Sequence, residues 1–203
     1  PGGGDGFVLV CGLWGARVAG FLLPALPTWA GWWPIAGKPL RALLAWWLCA
    51  RAAVLMSGIS GLALAAALDV GFFAVLTAVG AREVLAAKNR NFPVVAMALF
   101  FTLADAADYA GKAGLIADFG WKAAIAVIII LISIIGGRII PSFTRNWMTK
   151  QGERAHLPMQ PAALDLLVIA ATALCFGFWI VFPKNTLTGG MLMLASVLQF
   201  MRL

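Results

Sequence analysis

The chain has 203 residues, 63% hydrophobic and only 11% charged, with 15 Lys and Arg against 8 Asp and Glu and a net charge of +7. Soluble domains carry about 25% charged and roughly 45–50% apolar residues. A mean hydropathy of +0.95 therefore leaves too little polar surface to cover a water-facing globule, which argues against a soluble enzyme, a disordered segment and a nucleic-acid module. The basic residues lie between apolar runs, so the lipid bilayer is the expected partner.

A helical span needs roughly 17–25 mainly apolar residues between polar punctuation. Phe7 to Leu26 is the first such run, ended by Pro24 and Pro27 and followed by Trp29, Trp32 and Trp33, which suit an interfacial belt. Leu40 to Ser57 is the second, and Leu62 to about Ala81 is the third, running on into Arg82-Glu83 and Lys88-Asn89-Arg90-Asn91. Phe92 to Tyr109 is the fourth, with Pro93 in its first turn, where a missing N–H costs least. Phe119 to Ile140 is the fifth, and Pro141 is expected to stop that helix. Ala162 to Phe182 is the sixth, closed by Pro183-Lys184-Asn185, and Leu187 to Leu203 begins a seventh. No period-two alternation of about ten residues appears, which disfavours a membrane barrel. The expected fold is all-α: a polytopic transmembrane bundle of six to seven spans, forming a single domain over residues 1–203.

The connections after spans one, three and five hold nine basic residues: Lys38, Arg41, Arg82, Lys88, Arg90, Arg138, Arg145, Lys150 and Arg154. Those after spans two, four and six hold three: Lys112, Lys122 and Lys184. Under the positive-inside rule the first set is cytoplasmic. The opening Pro1-Gly2-Gly3-Gly4-Asp5-Gly6 has no Met and no basic n-region, so it does not read as a signal peptide. It reads as a ragged end, and the chain as a fragment.

An ionisable residue inside a span is a functional candidate by default, since a charge at mid-bilayer costs about 2.5–3.5 kcal/mol on insertion scales. Arg17, Arg51, Asp69, Asp105, Asp108 and Asp165 all fall in expected spans. Arg17 and Arg51 can meet Asp69 or Asp105 inside the bundle, or hold the carboxylates of a bound cofactor. Asp105 and Asp108 share a helix face at i, i+3, and their place near the end of span four suggests a solvated helix end. Cys11, Cys49 and Cys175 stand singly in apolar runs with no CxxC spacing, so they make neither a disulfide framework nor a zinc site. The sole histidine, His156, sits in a polar connection and reads as a bystander. Cys175, Met191, Met193 and Tyr109 are weak candidates for axial haem ligation within spans. No general acid–base or nucleophile constellation is visible.

One stretch is specific: Gly136-Gly137-Arg138-Ile139-Ile140-Pro141-Ser142-Phe143-Thr144-Arg145-Asn146. It resembles the GGR-I-I-P-x-F-T-x-N segment of the NnrS family of bacterial inner-membrane proteins. Ala19 to Leu23 with Pro27 to Gly31, Ala50-Arg51, and Arg82-Glu83 with Lys88 to Pro93 resemble further family segments in the same order. The resemblance implies a nitric-oxide response function with haem and copper as cofactors, in a multi-pass protein of the bacterial inner membrane. It also implies about twelve spans, so the missing helices of the same protein would be partners of this one and would bring the histidine ligands. Gly136, Gly137, Arg138, Pro141 and Asn146 are the family signature, and Arg17, Arg51 and Arg138 are candidates to grip haem propionates. Two other readings stay open: a transporter or permease whose intramembrane Arg and Asp line a substrate path, and a structural bundle without chemistry.

Overall fold

A computed structural model describes residues 16, 19–20, 37–86, 92–152, 157 and 163–202. Most of the first expected span with Arg17, the Trp29 to Trp33 cluster, Cys11, Lys88, Arg90, Arg154 and His156 lie outside the described residues. Seven α-helices make up the architecture there: α1 (Lys38–Leu55), α2 (Ser57–Ser60), α3 (Leu62–Ala86), α4 (Phe92–Lys112), α5 (Gly120–Lys150), α6 (Ala163–Val181) and α7 (Thr186–Arg202). Helices are the form that an apolar chain takes in lipid, because each satisfies its backbone groups internally. By length and composition α3, α4, α5 and α6 can each cross a membrane. The 18 residues of α1 include Lys38, Arg41 and Arg51, and α7 has only 17 residues.

The helices belong to two compact units, 1–127 and 128–203, with the boundary inside α5. In the first unit α3 packs against both α1 and α4. The one-turn α2 and Gly61, at a φ of 87° that L side chains rarely adopt, turn the chain from α1 into α3. Phe72, Phe73 and Phe101 fill the α3–α4 seam edge to face, with Phe73 5.1 Å from Phe101 and 5.2 Å from Phe72 between ring centroids. Beyond them, Thr77 and Thr102 share a 3.0 Å hydrogen bond, and Val84 packs on Val95 with Ala81 beside them. In the second unit α6 packs against α7. The Thr188 hydroxyl closes their turn by donating to the Phe182 carbonyl at 2.6 Å.

Two expectations fail here. Pro141 does not stop α5, which runs on to Lys150. A proline removes one backbone bond, here to the Gly137 carbonyl, and membrane helices tolerate that loss. The residues after it continue the helix, and the Thr144 and Thr149 hydroxyls bond back to the Ile140 and Arg145 carbonyls at 2.9 and 2.8 Å. Second, several basic residues expected in connections, among them Arg82, Lys112, Arg138, Arg145 and Lys150, are helical.

The join between α4 and α5 depends on close backbone approach. Gly114, at a φ of 74°, ends the turn after α4. A Cβ on Gly120 would collide with the backbone N and Cα of Asp108, and one on Gly111 would crowd the Cα of Asp118 at 3.1 Å. A Cβ on Gly136 would meet nothing within 4 Å. Gly120→Ala is therefore expected to cost about 1–3 kcal/mol, the usual penalty of overpacking. Gly136→Ala should leave the thermal unfolding midpoint of the detergent-solubilised protein unchanged or raised. Equal midpoints for the two variants would show that the approach at Gly120 is not tight.

Candidate functional site

The first unit buries a group of charged side chains between α1, α3 and α4. Arg51 stands toward the end of α1, Asp69 in the second turn of α3 and Tyr109 near the end of α4. The Arg51 guanidinium donates through Nη2 to Oδ1 of Asp69, and the Tyr109 hydroxyl donates to Oδ2 at 3.0 Å. Both carboxylate oxygens are thereby engaged. Asp69 has no exposed surface and Arg51 retains 13%, so this is an ion pair held inside the protein. Trp46, just over one turn before Arg51, fixes the α1–α3 register by donating from Nε1 to the Leu68 carbonyl at 3.0 Å. Gly71 makes room for that indole, since a Cβ there would lie 3.3 Å from its ring.

Two further carboxylates adjoin the pair. Asp105 lies one helical turn before Tyr109 and is fully buried, and Asp108 is 1% exposed. The Lys112 ammonium reaches Asp108 at 2.9 Å and stands 5.8 Å from the Tyr109 ring centroid, within cation–π range. A backbone N–H of Trp121, in the first turn of α5, also donates to the Asp108 carboxylate. An acid at a helix N-terminus is stabilised by the exposed N–H groups and the helix dipole. The expectation of a solvated helix end for Asp105 and Asp108 is thus corrected. Both are buried, and the turn after α4 brings the first turn of α5 against the backbone and carboxylate of Asp108.

Arg51 keeps two buried nitrogens, Nε and Nη1, with no hydrogen-bond partner among the described residues. Leaving a buried donor unmade costs about 1–3 kcal/mol, more for a charged group. A guanidinium matches a carboxylate in shape and charge. Arg51 can therefore accept an acid group in addition to Asp69. The residues named as axial candidates are otherwise disposed. Tyr109 is committed to Asp69, Met191 is half-buried and Met193 exposed on α7, and Cys175 is buried singly in α6. No three His, Cys, Asp or Glu residues stand together to hold a metal among the described residues. These residues fit the acidic end of a haem and not its iron, nor a copper ion.

A second polar assembly ties the second unit together. Arg202 donates from Nε to Asp165 Oδ1, and from Nη1 to the Ser133 hydroxyl at 2.7 Å and to Gln199 Oε1 at 3.2 Å. Gln199 Nε2 donates in turn to Ser133 at 2.8 Å and to Thr172 at 3.0 Å. The Arg202 guanidinium lies against Gly137, where a Cβ would overlap it. Ser133, within the isoleucine run, and Gln199, the one amide in its span, are polar residues that apolar surroundings could have flagged.

The match to known sequences decides the family. The model of the family described as NnrS protein matches residues 6–203, nearly the whole chain. The chain belongs to the NnrS family. No curated protein and no solved structure matches it. Of the NnrS signature, Gly137 is buried beneath Arg202, Gly136 and Pro141 are half-buried, and Arg138 and Asn146 are exposed on α5. Arg51 lies in the first unit, Arg138 in the second and Arg17 outside the described residues.

Removing one partner of a buried ion pair leaves the other charge uncompensated, at a cost of about 3–5 kcal/mol. Asp69→Ala is expected to lose that much. Tyr109→Phe, which deletes one hydrogen bond to a charged group, should lose about 1.5–3 kcal/mol. Unfolding of each variant in mixed micelles measures the order. A Tyr109→Phe loss equal to or above that of Asp69→Ala would contradict the arrangement.

Proposed function

We propose that this chain forms a single membrane domain of an NnrS-type protein of the bacterial inner membrane that supports resistance to nitric oxide through a haem and copper centre. The observation that carries the reading is the NnrS match over residues 6–203. It is supported by the four helices able to span a bilayer and by an intramembrane arginine with donors to spare. When bound, haem and copper would supply the nitric-oxide and redox chemistry. The chain's own part is to orient and to exclude water. Arg51, held by Asp69, offers its free N–H groups to an acid such as a propionate. Arg17 and Arg138 are assigned the same role, and the metal ligands come from outside the described residues.

A second reading rests on Asp69, Asp105 and Asp108, three buried carboxylates beside Arg51 and Lys112. Intramembrane acids of this kind mark ion and proton pathways in transporters. The two readings separate experimentally. Membranes holding the complete gene product should show a haem Soret band, and cells lacking the gene should grow poorly under nitric oxide until it is restored. His156→Ala should leave the Soret band unchanged, and Arg51→Leu should shift or diminish it. Absence of the band from the complete product, together with pH-driven solute uptake into vesicles, would refute the haem reading in favour of the transporter.

A further inference from the structure

At about 1.5 Å per residue, the 31 residues of α5 span about 46 Å, against a hydrocarbon core of about 30 Å. No charged residue falls between Lys122 and Arg138, so the hydrocarbon core is centred on this uncharged stretch of about 22 Å and takes in a few residues at either end, where long basic side chains reach outward. The stretch that follows, 138–150, carries Arg138, Arg145 and Lys150 and no acid. It is also two-faced. Ile140, Phe143 and Trp147, spaced three and four residues apart, share one side and are 49%, 71% and 63% exposed. Arg138, Ser142, Arg145 and Thr149, spaced four, three and four apart, share another and are all exposed. A helix end in water gains nothing from displaying a phenylalanine and a tryptophan beside one another. Placed where a bilayer passes from hydrocarbon to headgroup, both faces are satisfied: the rings enter the acyl boundary and the Arg145 guanidinium meets phosphates. Pro141, lacking the N–H that would bond to the Gly137 carbonyl, gives the helix a point at which to incline toward that layer.

We propose that the 138–150 segment of α5 is a docking surface for the anionic phospholipid headgroups of the leaflet it faces. Charge complementarity selects the occupant: Arg145 and Lys150 are exposed cations on either side of the aromatic rings, which suit the interface, and the segment holds no acid. The positive-inside count puts this segment on the cytoplasmic side, where anionic lipid is the matching partner. The proposal rests on the membrane reading alone and not on the haem and copper reading, so a negative haem spectrum leaves it intact.

The test uses the full chain in neutral detergent, with phosphatidylglycerol or phosphatidylcholine added and the retained lipid counted by native mass spectrometry. Each basic residue near an anionic surface contributes roughly fivefold in affinity. The double variant Arg145→Gln/Lys150→Gln should therefore lose roughly 25-fold in phosphatidylglycerol retention, with phosphatidylcholine retention unchanged. Arg145→Lys/Lys150→Arg, which keeps both charges, should behave as the native chain, and 0.5 M salt should reproduce the loss. An undiminished preference for phosphatidylglycerol in the glutamine variant would overturn the proposal. So would a native chain that is dimeric and becomes monomeric on Phe143→Ser/Trp147→Ser, since the apolar face would then belong to a second copy.

Discussion

A charge that must leave water sets the terms for everything else in this chain. Moving an isolated ion into hydrocarbon is costly enough that a helix bearing one will find a partner if geometry allows. Arg51 and Asp69 are such a pair, drawn from helices that are consecutive apart from one short turn, and Tyr109 from α4 completes the carboxylate's shell. Three helices are thereby held in one register. A buried pair contributes little net stability, because desolvation offsets most of the attraction, yet losing one member is severe. Its work is selective: of the ways in which three greasy helices could pack, it favours the one in which these residues meet. The second unit repeats the solution with Arg202 and Asp165, and surrounds them with Ser133, Gln199 and Thr172 so that the guanidinium spends several of its donors.

Pairing at this closeness requires room, and small residues provide it. Lipid tails offer no hydrophobic drive between helices, so membrane bundles gain from near approach and from hydrogen bonds across the seam. Gly71 admits the Trp46 ring, Gly120 admits the backbone at Asp108, and Gly137 admits the Arg202 guanidinium. The last gives a glycine of the NnrS signature a physical reason for being small. A side chain at 137 would push Arg202 off Asp165, Ser133 and Gln199 together. Gly136 beside it has open space and no such reason.

Much of this arrangement was legible before any coordinates. The apolar runs beginning at Leu40, Leu62, Phe92, Phe119, Ala162 and Leu187 mark the start of α1 and α3 to α7 to within two residues, because the hydropathy contrast between span and connection is large. Arg51, Asp69 and Asp165 were conspicuous as charges in apolar surroundings. Which of them would meet was not legible: Arg202 reaches Asp165 across 37 positions, a distance over which helical periodicity carries no information. Proline misled because it removes a single backbone bond, and the residues after it resume the helix to Lys150. Asp105 and Asp108 misled because nearness to a helix end was taken for exposure, whereas both are buried and the first turn of α5 is set against Asp108. Tyr109 stood out only as a weak axial candidate, and it serves Asp69, forty residues away.

The central claim is that the Arg51–Asp69 contact specifies how the first unit's helices pack, and a double-mutant cycle tests it most directly. Unfolding free energies in mixed micelles would be measured for the native chain, Arg51→Leu, Asp69→Leu and the double variant. Contacting residues couple by about 0.5–3 kcal/mol, and distant ones add within about 0.5 kcal/mol. The account predicts that the double variant is markedly more stable than the sum of the two single losses allows, because each single change strands the other charge. Strict additivity of the two losses would show that these side chains do not meet, and would contradict the structure proposed for the bundle.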